Sequence, residues 1–260
     1  MATRASISTQ KPTGWADGEL LRRWSLAREP VEELPDKPKL KYLLGEATYL
    51  AEPAFRPFRR ITIRKSADPK IVMVLPGFAT HPSRMRYLAR QLERAGHKTK
   101  RWGLGFNFGP TTNNVDFLEA RLEEIHDRYG QEVVLLGWSL GGLFARELAH
   151  RRPELVSKVI TMGSPFSGDR RANNAWRIYQ FVTGHRVDEP PIQSDVSQKP
   201  PVETVALWSA RDGIVSARSA CGRTGERDRA IALRCRHMGF SYAPEVIRTV
   251  LDELETTQSS

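Results

Sequence analysis

The sequence predicts an α/β protein with a mostly parallel central sheet and helices on both faces. Short apolar runs rich in β-branched residues, such as residues 71–75 and 133–136, have the length of buried strands rather than of helices. Longer amphipathic stretches alternate with these runs, and strands that alternate with helices form parallel sheets. The carboxyl ends of the strands are therefore the expected location of a functional site.

The composition fits one soluble domain. The chain has 260 residues, 40% of them hydrophobic, which is enough for one core. No apolar run approaches the roughly 20 residues of a membrane span, and residues 1–11 lack the apolar centre of a secretory signal. We therefore expect a cytoplasmic protein.

The net charge of +10 predicts attraction to anionic surfaces. The basic residues are scattered and form no recognisable nucleic-acid module, so no nucleic-acid partner is expected. The two cysteines, Cys221 and Cys235, have no Cys/His cluster near them, so no metal site is expected. A disulfide between them stays open, because a cytosolic protein normally keeps its thiols reduced.

The chain divides by composition into an accessory segment, a main domain and a tail. Residues 1–57 contain two amphipathic stretches: residues 16–28 predict a short helix, and residues 39–50 predict a second one, for which packing against the domain is favoured over a membrane or partner surface. Residues 58–256 form the predicted domain, and residues 257–260 a polar tail.

Inside the predicted domain, the strands and helices follow in order. The expected strands are residues 61–63, 71–75, 99–104, 133–136, 159–162, 204–208 and 230–233. The expected helices follow apolar stripes at residues 85–92, 118–125, 140–148 and 246–254.

Residues 167–203 interrupt this alternation and predict a small cap. Their apolar side chains, including Trp176 and Tyr179, suit both a helix packed over the sheet and a lid that lines a pocket. Four arginines would lie near the mouth of that pocket and suit an anionic substrate, although solvated surface side chains are the simpler interpretation: Arg170, Arg171, Arg234 and Arg236.

Ser139 lies between a predicted strand and a predicted helix, in the pattern G-x-S-x-G, and we interpret residues 137–141 as a nucleophile elbow, referred to below as the elbow. So sharp a turn strains the serine backbone and requires residues without bulk two positions before and after it, which Gly137 and Gly141 provide. The serine hydroxyl is then exposed above the sheet at a helix N-terminus. This context favours a nucleophile over a simple N-cap.

A serine nucleophile requires a base and an orienting acid. His237 follows the last predicted strand and is the favoured base, with His81, also after a strand, as its competitor. Asp212 follows a buried strand and is the favoured acid, with Asp169 as the alternative. The order serine, aspartate, histidine is that of one known arrangement of catalytic triads.

The tetrahedral intermediate of acyl transfer also requires N–H donors for its negative oxygen. Leu140 directly follows the serine and supplies the first donor. Phe78 lies in the loop of residues 75–78 after an early strand, and its N–H is the expected second donor.

Residues 75–78, 137–142, 212–215 and His237 together resemble the α/β-hydrolase superfamily, nearest to small bacterial lipase-like and esterase-like members. Residues 104–110 and 162–166 also look familiar for this group. Two positions depart from the pattern: Pro76 replaces the frequent histidine that braces the oxyanion loop, and Trp138 replaces a frequent histidine in the elbow. The resemblance implies a substrate pocket that includes Trp138, Phe166, Trp176 and Tyr179.

The activity implied by the resemblance is hydrolysis of a small-molecule or lipid-like acyl ester through an acyl-enzyme, without a cofactor. An acyltransferase with the same triad is one alternative. A catalytically silent binding protein is another, although the presence of all three triad residues argues against it. The sequence leaves the oligomeric state open.

Overall fold

A computed structural model describes residues 17–30, 35–52, 61–191 and 195–256 of the chain. In this part of the chain six strands form one sheet in the order β2-β1-β3-β4-β5-β6, and every neighbouring pair is parallel. The strands are β1 (Ile71–Leu75), β2 (Lys98–Arg101), β3 (Val133–Trp138), β4 (Val156–Met162), β5 (Glu203–Ser209) and β6 (Arg229–Leu233). The predicted parallel sheet is confirmed.

Helices cover both faces of the sheet. They are α1 (Asp17–Ala27), α2 (Leu40–Glu46), α3 (Arg86–Ala95), α4 (Thr112–Tyr129), α5 (Leu140–Arg151), α6 (Trp176–Thr183), α7 (Ala217–Cys221) and α8 (Pro244–Glu255). Short 3-10 helices occupy Ala47–Ala51, Pro82–Met85, Pro153–Leu155 and His237–Ser241.

The sheet separates two apolar cores because successive strand residues point to opposite faces. In β1, Val72 and Val74 belong to the core under α3 and α8, whereas Met73 and Leu75 belong to the core under α4 and α5. This two-sided burial explains why the strands are continuous apolar runs rather than alternating ones.

The strand predicted at residues 61–63 is wrong. These residues pair with no strand of the described chain, although Ile61 is buried and Ile63 packs against the same core. Alternation of apolar and polar residues shows only that one side of an extended segment is buried. Here that side is buried, but the segment forms no backbone hydrogen bonds with a neighbouring strand of the described chain. The strand predicted at 99–104 ends early, at Arg101, because Trp102 turns into the core.

Helix α1 lies against α6, which is the helix of the predicted cap. The Gln180 side chain donates to Leu26 O at 2.6 Å, and the Arg23 guanidinium donates to Val182 O at 2.5 Å. The Trp24 and Phe181 rings meet edge to face at 6.2 Å. The short helix predicted at residues 16–28 is therefore present, and it packs against α6.

Close backbone packing at the start of α5 leads to a first prediction. A Cβ atom on Gly141 would lie 2.2 Å from the Leu75 carbonyl oxygen of β1, which a backbone atom cannot accommodate. We expect Gly141→Ala to lower the free energy of unfolding by more than about 2 kcal/mol, as measured by urea denaturation.

Gly18→Ala is the matched control. A Cβ at Gly18, in exposed α1, would meet nothing within 4 Å. Alanine is also the better helix former, so this variant should be as stable as the parent or slightly more stable. Equal stability of the two variants would show that the junction tolerates a side chain.

Candidate active site

Ser139 connects β3 to α5 through a strained backbone. Its φ is 53° and its ψ is −123°, and in the described chain only Ala79 is another non-glycine residue with positive φ. Such conformations cost on the order of 1–3 kcal/mol and persist where neighbouring structure enforces them. Here Ser139 N donates to Met162 O of β4 at 2.8 Å, and Gly142 N donates back to Ser139 O at 3.0 Å.

His237 and Asp212 form a buried pair at the carboxyl ends of the neighbouring strands. Their Nδ1 and Oδ2 atoms are 2.7 Å apart, and each residue is 3% exposed. The second carboxylate oxygen accepts from Ile214 N and Val215 N, both at 2.8 Å, and these bonds fix the Asp212 carboxylate. With Nδ1 directed at a carboxylate, Nε2 of His237 is the nitrogen left for a reacting group.

The pKa of His237 is raised above its ordinary value of 6.5. Burial opposes the protonated imidazole, but the charge of Asp212 and the hydrogen bond to it outweigh burial, with a further contribution from the Glu46 charge.

The elbow and the His–Asp pair are connected through Trp138. Its indole Nε1 donates to His237 O at 3.2 Å, and the Trp138 and His237 rings lie 5.8 Å apart. Ser139 is the next residue along the chain, and it follows the carboxyl end of β3, as Asp212 and His237 follow the carboxyl ends of β5 and β6, so all three residues lie at the same edge of the sheet.

The competing residues lie elsewhere. His81 is exposed, and its Nδ1 lies 2.9 Å from Ser83 Oγ. Asp169 is also exposed and accepts from Arg171 N within its own turn. Neither is joined to the pair of His237 and Asp212.

The loop after β1 lies directly against Ser139. A Cβ on Gly77 would be 3.2 Å from the Ser139 Cβ, a distance that only close backbone approach can produce. Phe78 N–H has no acceptor among the described residues. Leu140 is the first residue of α5, and an N–H at that position has no acceptor within its own helix. Both predicted donors therefore lie beside the serine.

Asn107 braces this loop, a role that the sequence did not reveal. Its buried side chain donates to Pro76 O at 2.7 Å, and its main chain exchanges bonds with Ala79 and Thr80 at 2.7 and 3.1 Å. Asn107 thus braces the loop in which Pro76 replaces the usual histidine. The only indication in the sequence was that Asn107 lies within residues 104–110, which resemble a segment of the α/β-hydrolase superfamily.

An apolar cavity opens beside Ser139 between α5 and the cap. Trp176 and Tyr179 of α6 line it, as predicted for the cap, and the Tyr179 ring lies 5.4 Å from that of Phe78. Burial raises the pKa of Tyr179 to about 12, so its phenol stays neutral. The remaining wall is also mainly apolar and includes Leu140, Leu143, Phe144, Pro165, Val187, Ile214 and Val215.

Two residues predicted for the pocket lie outside its wall. Trp138 is buried and contacts His237. Side chains alternate along β3, so the Trp138 side chain lies in the same core as those of Val134 and Leu136 and not in the cavity wall. Phe166 is buried under the Arg146 guanidinium, 4.3 Å from its ring centroid. Their predicted role in the pocket wall is therefore wrong.

Only one of the four predicted arginines lines the cavity, namely Arg170. Arg171 donates to Asp188 at 2.8 Å, Arg236 donates to Gly45 O at 2.7 Å, and Arg234 is exposed. A cationic mouth formed by all four, which was the less favoured interpretation, is therefore not observed.

Cys221 and Cys235 are free thiols, and burial raises the pKa of Cys235. Over the ranges that the structure describes, no three His, Cys, Asp or Glu side chains come together as a metal site would require. Over the same ranges, no helix is long and apolar enough to cross a bilayer.

Comparison with known proteins shows what this chain is similar to. The family model described as the alpha/beta hydrolase fold matches residues 70–189. The biotin biosynthesis bifunctional protein BioHC of Teredinibacter turnerae is 27% identical over 121 residues, which are 44% of this chain and 21% of that protein. The pimeloyl-[acyl-carrier protein] methyl ester esterase of Klebsiella pneumoniae is 43% identical over 47 residues, or 18% of each chain. The matched regions span about a fifth of these curated relatives.

Solved structures show the same fold at low sequence identity. Bacillus licheniformis lipase BlEst2 superposes with a TM-score of 0.54 and 16% identity over 76% of this chain and 96% of its own. Aspergillus fumigatus lipase B gives a TM-score of 0.51 and 17% identity over 75% of this chain and 56% of its own.

The contact between His237 and Asp212 leads to a second prediction. We expect the His237 imidazole to titrate above 6.5, and Asp212→Asn to lower its pKa by removing the charge that outweighs burial. An NMR titration of labelled imidazole nitrogens measures both values.

Asp169→Asn is the control and should leave the titration unchanged. Because the folded pKa exceeds the unfolded one, protonated His237 stabilises the fold fully below pH 6.5, and this contribution is lost as the pH rises through the folded pKa. A His237 pKa unaffected by Asp212→Asn would contradict the pairing.

Proposed function

The chain has the α/β-hydrolase fold, and we propose that it is a serine hydrolase that cleaves carboxylic esters through Ser139, His237 and Asp212. One observation carries this proposal: a strained serine at the strand-to-helix turn lies at the same sheet edge as a buried His–Asp pair 2.7 Å apart. Strain at the half-buried Ser139 and a desolvated carboxylate both cost stability, and catalysis is the function that uses both.

In the proposed reaction His237 Nε2 takes the Ser139 proton as the serine oxygen attacks the ester carbonyl. The carbonyl oxygen becomes negative and is held by the Phe78 and Leu140 N–H groups. The tetrahedral intermediate collapses when His237 returns the proton to the departing alkoxide, which leaves as the alcohol. Water then attacks the acyl-enzyme by the same route and releases the acid.

Asp212 has two roles in this scheme. Its hydrogen bond to Nδ1 holds the imidazole with Nε2 toward the serine, and its charge stabilises the imidazolium that forms in each half-reaction. A raised His237 pKa also means that the base is protonated at acid pH, so hydrolysis should increase as the pH rises through that pKa.

The cavity supports an ester with an apolar acyl part. Its wall beside Ser139 is formed largely by aliphatic and aromatic side chains from α5 and α6. An apolar wall favours a hydrocarbon chain and excludes water from the reacting carbonyl. The curated relative from Klebsiella is named for an ester substrate, which agrees with this class.

A serine-directed probe provides the third prediction. A fluorophosphonate should label Ser139 in the folded protein, because the nucleophile, base and oxyanion donors act together on a tetrahedral phosphorus. Ser139→Ala should abolish both the labelling and the hydrolysis of short-chain p-nitrophenyl esters, as followed by mass spectrometry and absorbance.

Ser164→Ala is the matched control, since Ser164 is buried in the loop after β4 and is absent from the cavity wall. It should retain labelling at Ser139. A folded parent protein that is not labelled, or full ester turnover in Ser139→Ala, would refute the proposed nucleophile.

The brace on the oxyanion loop gives the fourth prediction. Asn107→Ala removes the hydrogen bond to Pro76 O and should displace the Phe78 N–H from its position. We expect kcat to fall about 10- to 100-fold with a smaller change in KM, because the donor acts mainly on the transition state.

The control is Asn113→Ala, an exposed position in α4. It should leave kcat and KM unchanged. If Asn107→Ala raised KM at constant kcat, the loop would bind substrate rather than the developing oxyanion.

A further inference from the structure

Glu46 is a buried carboxylate that contacts both loops carrying the His–Asp pair. Its Oε1 accepts from Gly213 N at 3.0 Å and from His237 N at 2.9 Å, and its Oε2 accepts from Met238 N at 3.0 Å. Glu46 is 8% exposed and ends α2, outside the residues matched by the family model. A single side chain thus connects the loop after β5 to the loop after β6.

These bonds lie next to the reacting groups in sequence. Gly213 directly follows Asp212, and the second bond goes to the amide of His237 itself. Hydrogen bonds from backbone N–H groups to a carboxylate are stronger than hydrogen bonds to a neutral acceptor. Glu46 therefore fixes the separation of the two loops, and so the distance between the acid and the base.

The segment that carries Glu46 is anchored independently. Arg236 donates to Gly45 O at 2.7 Å and to Thr48 Oγ1 at 2.6 Å. The Asn174 side chain of the cap donates to Pro38 O at 3.2 Å and to Gly213 O at 2.8 Å. The Glu46 carboxylate is therefore presented by a docked segment and not by a free end of the chain.

Gly213 shows how closely this segment approaches. A Cβ on Gly213 would lie 2.4 Å from Tyr42 O, so the two backbones touch and only glycine fits. Glycine is therefore required at the position after Asp212 by the close contact with α2.

We propose that Glu46 is a positioning residue for His237 and Asp212, which makes the segment before the family match a working part of the active site. This inference rests on the proposed hydrolase function. Glu46 contacts no substrate; it acts by holding two loops and by placing a second negative charge near the imidazole.

Among the described residues, the charges that act on His237 are those of two acidic side chains. Asp212 and Glu46 face it as carboxylates, Arg236 is turned away toward Gly45 O, and burial raises the pKa of the neighbouring Cys235 thiol, which stays neutral. Both carboxylates raise the pKa of His237. Removing the Glu46 charge should therefore lower it.

Glu46→Gln tests the proposal with the full chain and the fluorophosphonate probe. The amide keeps one acceptor but sets an NH2 group against a backbone donor. We expect the labelling rate of Ser139 to fall about 10- to 100-fold, and the acid limb of its pH profile to move to lower pH. A residue with only a structural role would not shift that limb.

Glu46→Asp provides the second variant. It keeps the charge but shortens the reach, so the labelling rate should fall while the acid limb remains where it is in the parent. Glu253→Gln is the matched control, a carboxylate of α8 that is buried to the same extent as Glu46 and accepts a hydrogen bond from Arg229, and it should keep the parent rate and profile. Thermal unfolding of all variants confirms that they are folded at the assay temperature.

Two failures can be told apart. If the parent protein is not labelled at all, the hydrolase proposal fails. If the parent is labelled and folded Glu46→Gln matches it in both rate and pH profile, the hydrolase proposal stands and the role of Glu46 is overturned.

Discussion

The backbone of Ser139 is the constraint on which the rest of the site depends. Its φ of 53° is unfavourable for a residue with a Cβ and persists because hydrogen bonds to β4 and to α5 fix the turn between β3 and α5. The turn also requires glycine at positions 137 and 141, because a Cβ atom at either position would lie less than 2.5 Å from a backbone atom. The hydroxyl is consequently presented above the sheet, next to the first free N–H groups of α5.

Buried hydrogen bonds from side chains to backbone hold the other parts of the site against this elbow. Asn107 fixes the loop after β1 through Pro76 O, and Glu46 fixes the loops after β5 and β6 through three amide groups. Loops lack the regular backbone hydrogen bonds of a sheet or a helix, so their buried N–H and C=O groups require hydrogen-bond partners from other segments. In this chain those partners come from segments far away in sequence.

The sequence predicted most reliably the features that lie within one stretch, and it missed several contacts between distant segments. Residues 133–142 carry the strand, the elbow and the helix in one stretch, so periodicity and glycine spacing located Ser139. Glu46 and the amide of His237 are 191 residues apart, and nothing in either stretch indicates that they meet. The strand predicted at residues 61–63 failed for the same reason. Alternation of apolar and polar residues indicates burial, but it does not show whether a neighbouring strand is available to pair with the segment. Trp138 and Phe166 are apolar residues near the elbow that face the core rather than the cavity.

Trapping the covalent intermediate tests the central claim most directly. The protein would be mixed with a p-nitrophenyl ester, quenched in acid before deacylation is complete, digested and examined by mass spectrometry. We expect the mass of the acyl group, less one proton, on the peptide that contains Ser139, together with a burst of p-nitrophenol of about one equivalent per protein. Steady turnover without a burst and without acyl mass on that peptide would contradict an acyl-enzyme at Ser139.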